Sequence, residues 1–276
     1  GISFSSTALG FTTGSLRIRN TTQLGTAAHS IILGGATSSL YFQTGNTFTG
    51  TMTATAPQLY LNGSTFAAGT YTQNGSTSIN SSGANTFNGA TTLVVSGSGS
   101  WTHSNTSADI YNSTLSARNT GSGVLYLAQT GALTQFNGNV TFLSSGSSQG
   151  IRIGQGTGTA RIASGVSFTS TAVGFTSGSL YIRNVTQLGT TAHSLIIGGT
   201  TNAIYLQTGN TFTGTMTATA PQLYLNGSTF AAGTFTQNGG TGIYCNGGNT
   251  FNGATTLNVT GAGSWIQSNT TVDTYN

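Results

Sequence analysis

Short runs in which apolar and polar residues alternate recur along the chain. Leu16-Arg17-Ile18, Leu40-Tyr41-Phe42, Leu59-Tyr60-Leu61, Leu125-Tyr126-Leu127 and Ile151-Arg152-Ile153 share the pattern. A period of two predicts strands with one face buried. Each run leads into a turn-rich element: Asn46-Thr47-Phe48-Thr49-Gly50, Ser64-Thr65-Phe66, Asn85-Thr86-Phe87-Asn88-Gly89, Gln135-Phe136-Asn137-Gly138. Asn-Gly pairs there are expected to supply the positive φ of tight corners. A second alternating run follows, such as 51–55 or 92–96. No helical period interrupts this alternation.

Cutting before each leading run gives segments 15–37, 38–56, 57–75, 76–99, 100–123, 124–149 and 150–178. These seven sum to 164 residues, and 164 is also a repeat: residues 1–112 return as 165–276 with 83 of 112 positions identical. Gln43–Thr70 recurs unchanged as Gln207–Thr234. Nested periods of this size predict a solenoid. Residues 1–164 are expected to form one unit of seven coils and 165–276 part of a second. No linker separates them, and the chain reads as a window from a longer repetitive protein.

The fold expected is all-β, a parallel β-solenoid with strands stacked about 4.8 Å apart, so that one unit rises roughly 34 Å. Phe48, Phe66, Phe87 and Phe136 should form an inward column, with Leu24, Tyr111 and Ile162 filling the remaining coils. A string of β-sandwiches is the competing architecture, and the finer period favours the solenoid.

Composition narrows the function classes. Charged residues are 3% of the chain, with 6 Lys+Arg, all arginine, and 2 Asp+Glu, both aspartate. Regularly spaced apolar residues, 36% of the total, argue against disorder. Six arginines spread over 276 residues do not form the dense patch that nucleic acid requires. Hydroxyls and amides must supply solubility, which suits an extracellular setting. The single cysteine, Cys245, aligns with Ser81, so no intrachain disulfide forms and no zinc spacing exists. No apolar run is long enough to span a membrane.

Catalytic chemistry finds little material. The carboxylates, Asp109 and Asp273, are one position in two copies and lie about 34 Å apart, too far for an acid–base pair; each reads as a turn or cap residue. His29 and His193 are equivalent, and His103 becomes Gln267. A Ser-His-Asp triad would need convergence that repeated positions on separate coils do not offer. No metal or cofactor is expected, and the chain is not read as an enzyme. Arg17, Arg19, Arg118, Arg152, Arg161 and Arg183 read as surface polarity. Thr51, Thr53 and Thr55, with Thr215, Thr217 and Thr219, are similar to the threonine ladders of ice-binding solenoids, which need the motif on every turn; here it is strict on one coil per unit. Asn-x-Ser/Thr sequons, among them Asn20, Asn62, Asn105, Asn139, Asn184 and Asn269, arise by chance in such a composition.

The middle residue of each leading run should point outward. Coil by coil these are Arg17, Tyr41, Tyr60, Asn80, Trp101, Tyr126, Arg152, Tyr181, Tyr205, Tyr224, Tyr244 and Trp265. Such a stripe of Tyr, Trp and Arg allows three readings: lateral packing of subunits, self-stabilisation of the stacked strands, or ligand binding through sugar stacking. The same alternation places Cys245 inward.

The phrases Asn85-Thr86-Phe87-Asn88-Gly89-Ala90-Thr91-Thr92-Leu93, its copy at 249–257, and 135–142 resemble the repeat regions of giant surface proteins of gliding or predatory Bacteroidota, the gliding adhesins and grappling-hook filaments. The resemblance implies secretion to the cell surface and a role in adhesion, motility or prey capture. The expectation is therefore the structural shaft of an extracellular fibre that self-associates into bundles. A carbohydrate-binding adhesin is the alternative, with a cell-surface or polysaccharide ligand.

Overall fold

The computed structural model describes residues 3–129 and 133–276. The chain winds into a β-solenoid of about 12 turns, with neighbouring strands paired in parallel. Each turn adds one rung to each of three ladders.

The leading ladder is built from Ser15–Ile18, Ser39–Phe42, Gln58–Leu61, Ile79–Asn80, Trp101–Thr102, Leu125–Leu127, Gly150–Ile153, Ser179–Ile182, Ala203–Leu206, Gln222–Leu225, Ile243–Tyr244 and Trp265–Ile266. Their starts fall within about three residues of the boundaries read from the periodicity. The corner ladder runs through the Thr-Phe pairs, with Thr47, Thr65 and Thr86 in register. The trailing ladder runs through the second alternating runs, with Thr53, Thr70 and Thr92 in register. Four strands, Thr47–Ala56, Thr65–Gln73, Thr211–Ala220 and Thr229–Gln237, serve both of these ladders.

Alternation fixes which face is buried. Leu40, Phe42, Leu59 and Leu61 are fully enclosed, whereas Tyr41 and Tyr60 between them are half-buried. The aromatic column is longer than the sequence suggested. Phe48, Phe66, Phe87, Tyr111 and Phe136 stack with centroids 4.9–5.7 Å apart. The column continues from Phe136 through Phe168, His193, Phe212, Phe230 and Phe251 to Tyr275 at 4.9–5.9 Å. Phe4 and His29 extend it the other way, at 5.5 and 5.4 Å. Thirteen rings thus form one spine along the axis, with roughly 0.5–1.5 kcal/mol per ring pair beyond area burial.

Leu24 is not part of this core: it is 91% exposed. The chain bends one residue earlier than expected, so that Thr22 pairs with Thr47 and Gln23 takes the corner position. Gln23 Oε1 accepts the backbone N–H groups of Thr49 (3.0 Å) and Gly50 (2.8 Å), where the ladder register shifts between Phe48 and Thr51. Gln187 does the same for Thr213 and Gly214 in the second copy. In both turns the corner lacks an aromatic ring, and the histidine of the trailing strand supplies one. Ile162 is buried beside Phe136, as expected.

The corner glycines also work differently from expectation. Gly50, Gly89 and Gly138 do not adopt positive φ; a Cβ at each would collide with the backbone of the preceding turn, at Ala27, Ala67 and Ser113. Close stacking, not corner geometry, demands glycine there.

Candidate functional site

The outward column of the leading ladder is the surface feature that gathers aromatic rings and guanidinium groups on successive turns. Strand register aligns Arg17 with Tyr41 and Tyr60, and separately aligns Tyr126, Arg152, Tyr181, Tyr205 and Tyr224. Tyr41 and Tyr60 stack at 4.4 Å with planes 5° apart. Tyr181 and Tyr205 stack at 4.2 Å and 2°, and Tyr205 and Tyr224 at 4.4 Å and 4°. Arginine enters the same stack. The Arg17 guanidinium lies 5.1 Å from the Tyr41 centroid; that of Arg152 lies 5.5 Å from Tyr126 and 4.7 Å from Tyr181. Burial, and then the neighbouring Tyr181 and Tyr224, push the Tyr205 phenol up from its ordinary value; burial and Tyr41 do the same for Tyr60.

Both tryptophans leave the predicted stripe. Trp101 is aligned with the inward Ile79 and Leu125 and is fully enclosed, and Thr102 holds the outward place. Trp265 is aligned with Ile243, and Ile266 is outward. The reason is a break in the leading ladder. The Leu61 backbone N–H donates to Ser81 Oγ (3.1 Å), and the Trp101 indole N–H donates to the same oxygen (3.1 Å). In the second copy Cys245 Sγ accepts from Leu225 N (3.5 Å) and Trp265 Nε1 (2.9 Å). An indole has one polar atom and needs one partner; Ser81 and Cys245 provide it inside. Cys245 is inward and buried, as expected, and burial is the main cause raising its thiol pKa. With Asn80 and Thr102 in the gap, the stripe is two stacked groups and not one. The Tyr244 backbone pairs with Ile266, and its side chain lies outside the described residues.

The aspartates are internal. Asp109 Oδ1 accepts from Asn85 N (2.8 Å) and Asn85 Nδ2 (2.9 Å), and Oδ2 from Ser104 Oγ (2.9 Å). It closes a buried polar column through Asn85 and Ser64 to Asn46, whose amides bond turn to turn. Asp273 repeats the arrangement with Asn249, and Gln267 Nε2 donates to its Oδ2 at 2.7 Å. In the first copy His103 stands where Gln267 does, with Nδ1 3.6 Å from Asp109 Oδ2. Ser104, His103 and Asp109 thus converge, contrary to expectation. Their bonding is wrong for a nucleophilic triad, because the serine donates to the carboxylate and not to the imidazole, and all three are sealed at 0% exposure. The aspartate is a buried tie between turns, not a surface cap.

His29 and His193 sit within the spine. Nδ1 of each accepts a backbone N–H, from Phe4 and Phe168, both at 2.9 Å. Burial lowers both pKa values, that of His193 to about 4. Among the described residues no three His, Cys or Asp side chains gather as a metal site.

The threonine pattern is more extensive than Thr51–Thr55 suggested. Register places Ser30, Thr53, Thr70, Thr92, Ser116, Thr141, Thr169, Ser194, Thr217, Thr234 and Thr256 in one outward column of the trailing ladder. The column beside it is interrupted by Ile32, Val94, Arg118, Leu143 and Ile196, so a lattice two threonines wide does not form. Sequence alone hid the column because the turns differ in length and only register aligns them.

No known protein family, curated protein or solved structure matches this chain.

Proposed function

We propose that the chain is a length of load-bearing shaft in an extracellular bacterial fibre. The observation that carries this reading is the continuity of two strand ladders and of the ring spine along one axis. The corner and trailing ladders and the thirteen-ring spine run the length of the described stack, and the internal Asn-Ser-Asp column ties Asn46 to Asp109 and Asn210 to Asp273 across the turns where the leading ladder breaks. Axial load is therefore shared by many hydrogen bonds and ring contacts at each cross-section. A surface almost without charge keeps adjacent shafts from repelling one another, which supports lateral association into bundles.

The tyrosine ladder fits this role. Rings 4.2–4.4 Å apart and parallel lie against one another along the axis, which stiffens the leading face. Their faces are taken up by neighbouring rings, which weighs against an adhesin that grips neutral sugars by stacking. The phenol edges remain for contacts between shafts. Catalysis has no part in this proposal.

Electron microscopy of tandem arrays tests the reading. Rods whose length grows by roughly 34 Å per unit are expected, and compact beads of fixed size would overturn it. Replacing Tyr60 and Tyr224 together with serine should loosen bundles, and unchanged bundling removes this face as the interface.

A further inference from the structure

We infer that Arg152, Arg161 and Arg183 form a binding site for a carboxylate-bearing polysaccharide, a role that the mechanical reading does not require. Both acidic side chains of the chain are buried, so the side-chain charge displayed to solvent is arginine. In sequence the arginines look scattered. The fold gathers three of them on two successive turns: Arg152 is in register with Tyr181, Arg161 with Thr186, and Arg183 lies between these two partners. Asn184 Nδ2 donates to the carbonyls of Gly154 and Gly158, both at 3.2 Å, and ties the two turns together beside them.

The donors are unspent. Nε of Arg152 and of Arg183 is buried and has no hydrogen-bond partner among the described residues, so a ligand meets the terminal N–H groups of these guanidinium ions. Arg161 uses one N–H group on Gln135 Oε1, at 2.6 Å. Between Tyr126 and Tyr181 the Arg152 guanidinium is held by its faces and its Nε is buried, which leaves the terminal N–H pair to meet a carboxylate in two-point fashion. The phenol of Tyr205 continues the row and offers a hydroxyl to sugar hydroxyls, and that of Tyr224, which donates to Gln222 Oε1 (3.2 Å), can still accept from one. Nucleic acid fits worse: it needs denser positive charge and free ring faces for its bases, and here the ring faces lie against one another. Position 183 is arginine in both copies, as Arg19 and Arg183, and Arg17 adds a second at the first-copy seam.

The test is binding of the whole chain to polygalacturonate, with neutral dextran and double-stranded DNA in parallel. Binding to polygalacturonate, none to dextran, and loss at high salt are expected. Substituting R152Q, R161Q and R183Q together should weaken it by about tenfold or more. R118Q, on the trailing ladder, should leave affinity unchanged. If the triple variant fails to fold, R161Q and R183Q singly, both outside the ring stack, should each weaken binding roughly threefold with an unaltered circular dichroism spectrum. No binding by the native chain, equal binding to dextran, tighter binding to DNA, or full affinity in the arginine variants would overturn the inference. Rod formation is scored without polysaccharide, so the shaft reading stands or falls separately.

Discussion

His193 accepts the Phe168 backbone N–H at Nδ1 and packs between Phe168 and Phe212, with its Nε2 lacking a partner among the described residues. A neutral ring suits that place and a charged one does not, which is why burial lowers its pKa from 6.5 to about 4. The folded state therefore binds this proton more weakly than the unfolded chain. The resulting stability is complete above pH 6.5 and is lost as pH falls toward about 4, up to roughly 3 kcal/mol. Chemical denaturation at several pH values should show this decline, and His193→Phe should flatten it; an equal slope in the variant would exclude His193 as its source. Cys245 makes a parallel case. Its buried thiol accepts two N–H groups and has a raised pKa, so a thiol reagent should leave the native chain unlabelled and label it fully after denaturation.

At the scale of single ladders, the internal polar column and the outer ring stack do different work. Asp109→Ala would leave two Asn85 N–H donors and the Ser104 hydroxyl without an acceptor in a sealed site, at a cost of about 3 kcal/mol in a thermal or denaturant melt. Asp109→Asn keeps one acceptor oxygen and should cost less. Equal losses in the two variants would mean that the carboxylate is not the tie between turns. Tyr205→Ser removes two stacked contacts at once and should cost about 1–3 kcal/mol, whereas a change at exposed Thr53 should cost almost nothing. The trailing ladder owes its regularity to alternation alone. Its outward hydroxyls are exposed or half-buried, and its inward residues, Met52, Ala54, Leu93 and Val95, carry the burial.

For the whole molecule, stability rests on backbone ladders and ring contacts, and ion pairs contribute little. Raising salt from low to high should shift the unfolding midpoint negligibly, within about 0.5 kcal/mol, because screening has few charges to act on. Oriented samples should diffract at about 4.8 Å along the long axis. A strong salt dependence, or a strand repeat perpendicular to that axis, would contradict the architecture.

Period-two runs, phenylalanines at regular intervals and the 164-residue repeat were enough to establish strands, turns and a stack, because each is a local pattern that repeats. Burial of Cys245 and the outward direction of Tyr41, Tyr60, Tyr181, Tyr205 and Tyr224 follow from the same alternation. What depended on register could not be read locally. Trp101 and Thr102 look interchangeable along the chain until Ser81 on the preceding turn provides the indole with its acceptor. Leu24 gives way to Gln23 because two backbone N–H groups on the next turn need Oε1. His29 and His193 join the spine because those turns lack a corner ring, and Arg152, Arg161 and Arg183 come onto adjacent turns only when the chain is stacked. The sequence by itself determined the strand periodicity and the buried face, since both are set by neighbours within a few residues. Only the tertiary structure decided which side chains of successive turns meet, because loops of unequal length separate them and hydrogen bonds between turns set the alignment.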